Sequence, residues 1–267
     1  MVLPYTFRED TYVNAIEIHP HNRNVVHHCN VAYFNIRKLK GGYDTFITGY
    51  VPGGQPMDLR PRHPSDPQVA YQIPGGSSLI LQIHYTTTGK EEESLISVGF
   101  RFPRNGVEKN SHHFILDPHK IAITPGDPMW RLSEKYTIPA NATLLGMLAH
   151  MHLRGRDMTF IAEYPSGQRE ILLQIPNYNF DWQLAYEVRN PLPAGTTIEV
   201  VAHFDNSRFN PYNPDPDRKV PYGPATRDEM FNAFIMWVND DEHLDLKIDP
   251  RTGHVVKSQD HPAGQIR

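Results

Sequence analysis

Two histidines one residue apart, in Leu148-Ala149-His150-Met151-His152-Leu153, carry the densest chemical information in the chain. On a β-strand, side chains two apart leave the same face, so both imidazoles can converge on one metal ion. Imidazole binds zinc, copper, iron and nickel alike, so the pair indicates a metal without naming it. Hydrogen-bonded core histidines are the plain alternative. The preceding run Thr143-Leu144-Leu145-Gly146-Met147 reads as buried, and ring nitrogens at the end of a buried run need partners, which a metal supplies directly.

A second group lies upstream. His27 and His28 follow Asn24-Val25-Val26, and His84 ends Leu81-Gln82-Ile83-His84-Tyr85. Neighbouring residues on a regular strand point to opposite faces, so His27 and His28 share a metal only at a bulge or strand end. Adjacent histidines are also common on surfaces. Met230 stands in Asp228-Glu229-Met230-Phe231-Asn232-Ala233-Phe234. Such a methionine is ordinarily core filler, but as a ligand its thioether selects copper, Cu(I) in particular.

The other candidates have simpler readings. His112 and His113 fall in a polar stretch expected to be a solvated loop. His19 and His21 flank Pro20 as turn residues, and His203 ends a strand as a structural or supporting group. Cys29, the single cysteine, makes an intramolecular disulfide impossible and shows no sign of being a nucleophile. Neither a glycine-rich phosphate loop nor a Gly-x-Ser-x-Gly elbow is present.

The elements that must position these residues read as strands. Tyr12 to Ile18, Ser78 to Tyr85 and Thr196 to Phe204 alternate or are β-branched, with turns at Pro52-Gly53-Gly54, Pro74-Gly75-Gly76, Pro125-Gly126, Pro165-Ser166-Gly167 and Pro193-Ala194-Gly195. Thr226 to Ala233 alone offers a helix start, capped by Thr226 or Asp228. The expected class is all-β, with a boundary near Thr124-Pro125 dividing the chain into sandwiches over 1–124 and 125–267, one histidine cluster in each. The tail after Lys247 is expected to be loosely held.

At 267 residues and 39% hydrophobic the chain can bury a substantial core, and its 24 prolines and 18 glycines imply many short elements. A net charge of -4 and a pI near 6.4 argue against nucleic acid or an anionic membrane as partner. No apolar run approaches the ~20 residues of a membrane span. The first residues, Met1-Val2-Leu3-Pro4-Tyr5, lack the features of a secretory signal.

Taken together and in order, these segments resemble the copper type II, ascorbate-dependent monooxygenases, which include peptidylglycine α-hydroxylating monooxygenase and dopamine β-monooxygenase. Val26-His27-His28 is similar to that family's paired-histidine motif and His84 to the third ligand of its first copper. His150-Met151-His152 is similar to the His-x-His motif of the second copper, and Met230 to its methionine ligand. The resemblance implies two jelly-roll-like sandwich domains with one mononuclear copper each across a shared cleft. It implies hydroxylation of an unactivated C–H bond with dioxygen and ascorbate or an equivalent reductant. Gln82, Asn232 and Phe234 match positions near substrate.

Two departures bear on specificity. Leu148 stands where the peptide-hydroxylating members carry an arginine for the substrate carboxylate, and Phe234 replaces the assisting tyrosine, so a peptidylglycine substrate is not expected. The block from Phe204 to Pro216 resembles bacterial members that end longer secreted proteins. This implies an extracytoplasmic fragment, with further domains and a signal elsewhere. The remaining readings are a copper-binding or electron-transfer protein on the same fold, a zinc hydrolase using His150, His152 and Asp157 or Asp205, and a metal-free interaction domain.

Overall fold

A computed structural model of the chain describes residues 1–39, 41 and 45–256. The chain is all-β, and among the described residues there is no α-helix and no segment able to cross a membrane as a helix. The first strands are β1 (Val2–Phe7), β2 (Thr11–Val13), β3 (Ala15–Pro20), β4 (Val26–Asn35), β5 (Phe46–Tyr50), β6 (Met57–Asp58), β7 (Val69–Ile73), β8 (Ser77–Tyr85), β9 (Ile96–Arg101) and β10 (Lys109–Leu116). The rest are β11 (Ala122–Ile123), β12 (Trp130–Thr137), β13 (Ala142–His150), β14 (Gly155–Glu163), β15 (Arg169–Ile175), β16 (Ala185–Glu187), β17 (Pro191–Leu192), β18 (Thr197–Phe204), β19 (Val220–Pro221) and β20 (Asn232–Asn239).

Five of the turns expected from Pro/Gly signals form, each with a glycine at positive φ: Gly53, Gly76, Gly126, Gly167 and Gly195. The pairing between strands is antiparallel except for β7 with β10. A four-stranded sheet, β1-β8-β4-β5, and a short sheet, β6-β3-β9, enclose one apolar core around Ile16, Val31, Ile73 and Leu81. A second four-stranded sheet, β12-β18-β14-β15, encloses another around Leu144, Phe160, Val200 and Phe231.

Between them runs a seven-stranded sheet with the path β16-β13-β20-β10-β7-β2 and β17 beside β13. It draws strands from both sides of position 124, because β10 pairs with β20. On β20, Ala233 and Ile235 pack into the second core and Val238 into the first. On β13 alternation sends Leu144 to the second core and Leu145 to the first, and a register shift between Leu144 and Gly146 returns Met147 to the second. The turn at Gly126 lies at the expected boundary, yet Ile121 and Ile123 just before it already pack in the second core.

Several local expectations are corrected. Thr226 to Arg227 is a turn and Asn232 begins β20, because the apolar spacing beyond Met230 has the two-residue period of a strand. His112 and His113 lie on β10, where their rings meet Trp237 and Tyr71 at 5.0 and 6.0 Å. His19 belongs to β3 rather than to a turn. Tyr12 to Ile18 breaks at Asn14, whose N–H and C=O bond Arg101 and Leu59, so β2 and β3 enter different sheets. The tail is pinned as far as Val256 by bridges Thr11–His254 and Ile248–Val255, and residues 257–267 lie outside the described region.

Candidate metal centres

The first histidine cluster is built by the antiparallel pair β4–β8. His28 lies directly opposite His84, and Asn30 opposite Gln82, while Cys29, Val31 and Leu81 on the other faces enter the core. The register slips between Val26 and His28, which is a bulge at His27. The bulge supplies what a regular strand forbids: His27, His28 and His84 each place one ring nitrogen within 4.8 Å of the others. His27 Nδ1 and His28 Nδ1 face each other at 3.1 Å. Asp181 Oδ1 accepts from His27 Nε2 at 3.1 Å, which places that proton on Nε2 and leaves Nδ1 turned toward His28.

The second cluster ends β13. Alternation buries Met147 and Ala149 and presents Leu148 and His150 on the opposite face, with His152 two residues beyond. The rings of His150 and His152 lie 5.2 Å apart. Both tautomers are set by their neighbours. Gln183 Nε2 donates to Phe180 O at 2.6 Å, so its Oε1 must accept from His150 Nδ1, also at 2.6 Å. His152 Nδ1 donates to Asp228 O at 3.0 Å. Each imidazole therefore offers its Nε2 lone pair, the form a metal requires.

Electrostatics agree with neutral rings. Burial first, then the neighbouring histidines, push His28 down to about 3. Burial and His152 push His150 to about 4, against a bond from Gln183 and the charge of Asp117. His84 and His152 are lowered as well, mainly by burial. Burial also holds the Cys29 thiol at about 11, as expected of an inert core residue.

Met230 is 3% exposed and lines the same cleft as His28, His84, His150 and His152. Gln82, Asn232 and Phe234 line it too, so of the nine residues singled out from sequence all but His27 border one cavity of about 320 Å³. The two clusters sit on either side of Phe180, whose ring stacks on His27 at 5.3 Å and meets His152 edge-on at 5.9 Å. Among the described residues, His27, His28 and His84 are the only three-donor group of histidine, cysteine and carboxylate, so no acid completes a zinc-type set with His150 and His152. Asp157 instead bonds His203 at 2.7 Å, and Asp205 accepts from the Ser207 N–H.

The supporting residues were not anticipated from sequence. Glu229, fully buried and adjacent to Met230, accepts from the His152 N–H at 2.8 Å and the Arg154 N–H at 2.6 Å, tying the methionine segment to the histidine loop. Burial raises this carboxyl to about 8, opposed by those N–H groups and by Arg154. Tyr178 Oη donates to Met151 O at 2.6 Å and accepts from Met151 N at 3.0 Å, clamping the backbone between the two histidines. Asn206, at the start of the polar block, joins Arg154, Thr124 O and Arg218 O. The loop 176–184 supplies Tyr178, Phe180, Asp181 and Gln183; its alternating aromatics, Tyr178, Phe180 and Trp182, are the signal that it docks rather than floats.

No family model and no curated protein matches the chain. Among solved structures it is similar to that of infectious bursal disease virus Gx strain, with a TM-score of 0.26 and 6% identity over 87% of this chain and 58% of that one. It is similar also to the VP2 subviral particle of the same virus, at 0.26 and 9% over 88% and 58%. A third is A223, a turret protein of Sulfolobus turreted icosahedral virus, at 0.20 and 13% over 87% and 88%. The chain spans 58% of the first two, and scores this low bear on neither fold nor function.

Proposed function

We propose that this chain is a two-copper monooxygenase that hydroxylates a C–H bond of a small molecule. His27, His28 and His84 would hold the electron-storing copper, and His150, His152 and Met230 the copper that meets dioxygen. The observation that carries the reading is the convergence of His28, His84, His150, His152 and Met230 on one cleft, with His27 brought beside His28 by a strand bulge. The donor chemistry fits copper. Three neutral nitrogens accommodate both oxidation states, and two imidazoles with a thioether favour Cu(I).

When bound, copper supplies the one-electron chemistry by which dioxygen, with two electrons and two protons from an ascorbate-like reductant, converts a C–H group to C–OH and water. The chain's own part is positional. Gln183 and Asp228 O fix the tautomers of His150 and His152, and Asp181 that of His27. Glu229 ties the loop carrying His152 to the segment carrying Met230, and Tyr178 clamps the Met151 backbone between the two histidines. Phe180 stands between the clusters, its ring against His27 on one side and His152 on the other.

Ascorbate-dependent oxygen uptake by the copper-loaded protein, coupled to a hydroxylated product, tests the reading. Copper binding without product over a broad substrate panel would favour an electron-transfer or copper-binding protein instead.

A further inference from the structure

Among the described residues bordering the histidine-lined cleft there is no Asp, Glu, Lys or Arg. Its wall is apolar where Leu148 on β13 lies directly across from Phe234 on β20. Phe46 on β5 extends that wall, with its ring centre 4.8 Å from that of Phe234. These three side chains also border a larger neighbouring cleft that does carry charges: Asp58 pairs with Arg60 and Arg62 and Glu187 with Arg189, while Glu17 and Arg101 also line it.

Besides the histidines, Tyr85 and Thr226, the polar groups left to a ligand are uncharged amides. Asn30 Nδ2 donates to Gln82 Oε1 at 3.2 Å, which leaves Asn30 Oδ1 as an acceptor and Gln82 Nε2 as a donor. Asn232, oriented so that its nitrogen faces acceptors, donates to Phe231 O at 3.0 Å and Asp117 Oδ1 at 3.1 Å, leaving its own oxygen as an acceptor. An ion entering the metal-free site gives up hydration and meets no counter-charge among its side chains, whereas a neutral hydrogen-bonding group finds partners. At about 320 Å³ the cleft is at the small end of ligand pockets, which run from roughly 300 to 1,000 Å³.

We propose that the cleft takes a compact neutral molecule, with an apolar body against Leu148, Phe234 and Phe46 and one uncharged hydrogen-bonding group toward Asn30, Gln82 or Asn232. Carboxylates and amines of the same size are rejected. As a statement of substrate class this rests on the monooxygenase reading; as a statement of binding it does not need the metal.

Phenylacetamide, phenylacetate and 2-phenylethylamine share a ring and a methylene and differ in charge at neutral pH. Calorimetric titration of each into the metal-free protein is expected to rank phenylacetamide roughly tenfold or more tighter than either ion. Leu148→Arg is expected to reverse the order in favour of phenylacetate. The wild-type series stands without that variant should Leu148→Arg fail to fold. Equal or tighter binding of either ion, or no binding of phenylacetamide at millimolar concentration, overturns the proposal. Copper stoichiometry on a copper-loaded portion of the same protein separates the two claims. Ion binding by metal-free protein that later takes up two coppers would overturn the substrate class alone, whereas phenylacetamide selectivity without copper uptake would overturn the copper reading alone.

Discussion

Acid destabilises the metal-free protein through its buried imidazoles, by an amount that follows from their surroundings. His28 titrates near 3 and His150 near 4 in the folded chain, against 6.5 for an unhindered histidine. In both, burial is the main cause and neighbouring histidines add to it. The depressed group is a base, so the unfolded chain takes up protons first as the pH falls. Stability is whole above 6.5 and declines below it until the folded values are reached. Each pH unit below 6.5 costs about 1.4 kcal/mol for one such imidazole, so at pH 5 His28 alone has removed about 2 kcal/mol. His150 taken singly removes a similar amount, and mutual repulsion keeps the two from simply adding. Urea denaturation at pH 8, 7, 6 and 5 reads this as a falling midpoint, and His28→Asn should flatten the fall. Cu(I) added before acidification, which requires neutral rings, should move the fall to lower pH. A midpoint level from pH 8 to 5, or a full slope in His28→Asn, would refute the argument.

Two further substitutions probe the frame of the second cluster. Tyr178→Phe removes a buried hydroxyl that makes two bonds to Met151, which should cost about 1–3 kcal/mol in thermal unfolding and weaken metal at His150/His152 while sparing the first cluster. Gly155→Ala would bring a Cβ to 2.7 Å from Met151 Cβ and 2.8 Å from the Tyr178 ring, so it should cost a comparable 1–3 kcal/mol, roughly, with the same selective loss of metal. Loss of metal at both clusters in either variant would show that the frame is not local.

What the sequence made legible was the part set by local periodicity. Alternation located β8 and β18, proline and glycine signals located five turns, and the two-residue spacing of His150 and His152 set them together at the end of β13. The requirement for a bulge at His27 followed from strand geometry, although its presence had to be seen. Illegible were contacts made by loops across long separations. Asp181 reaches His27 and Gln183 reaches His150 from a loop whose alternating aromatics mark it as docked without naming its partners. Glu229 was hidden because a buried acid beside a methionine looks like a surface residue until its N–H donors are placed. The shared central sheet was equally hidden, since Leu145 and Val238 look like any core residues until the pairing of β13 with β20 places them in the first core.

X-ray absorption of the Cu(I)-loaded protein, with metal stoichiometry, tests the central claim most directly. Two coppers per chain and a sulfur scatterer at one of them are expected. In Met230→Leu, a volume-conserving change expected to cost less than about 1.5 kcal/mol, the sulfur should vanish while the three-histidine copper stays. A wild-type spectrum without sulfur, a Met230→Leu spectrum unchanged from it, or one zinc and no copper under copper-replete conditions would contradict the account.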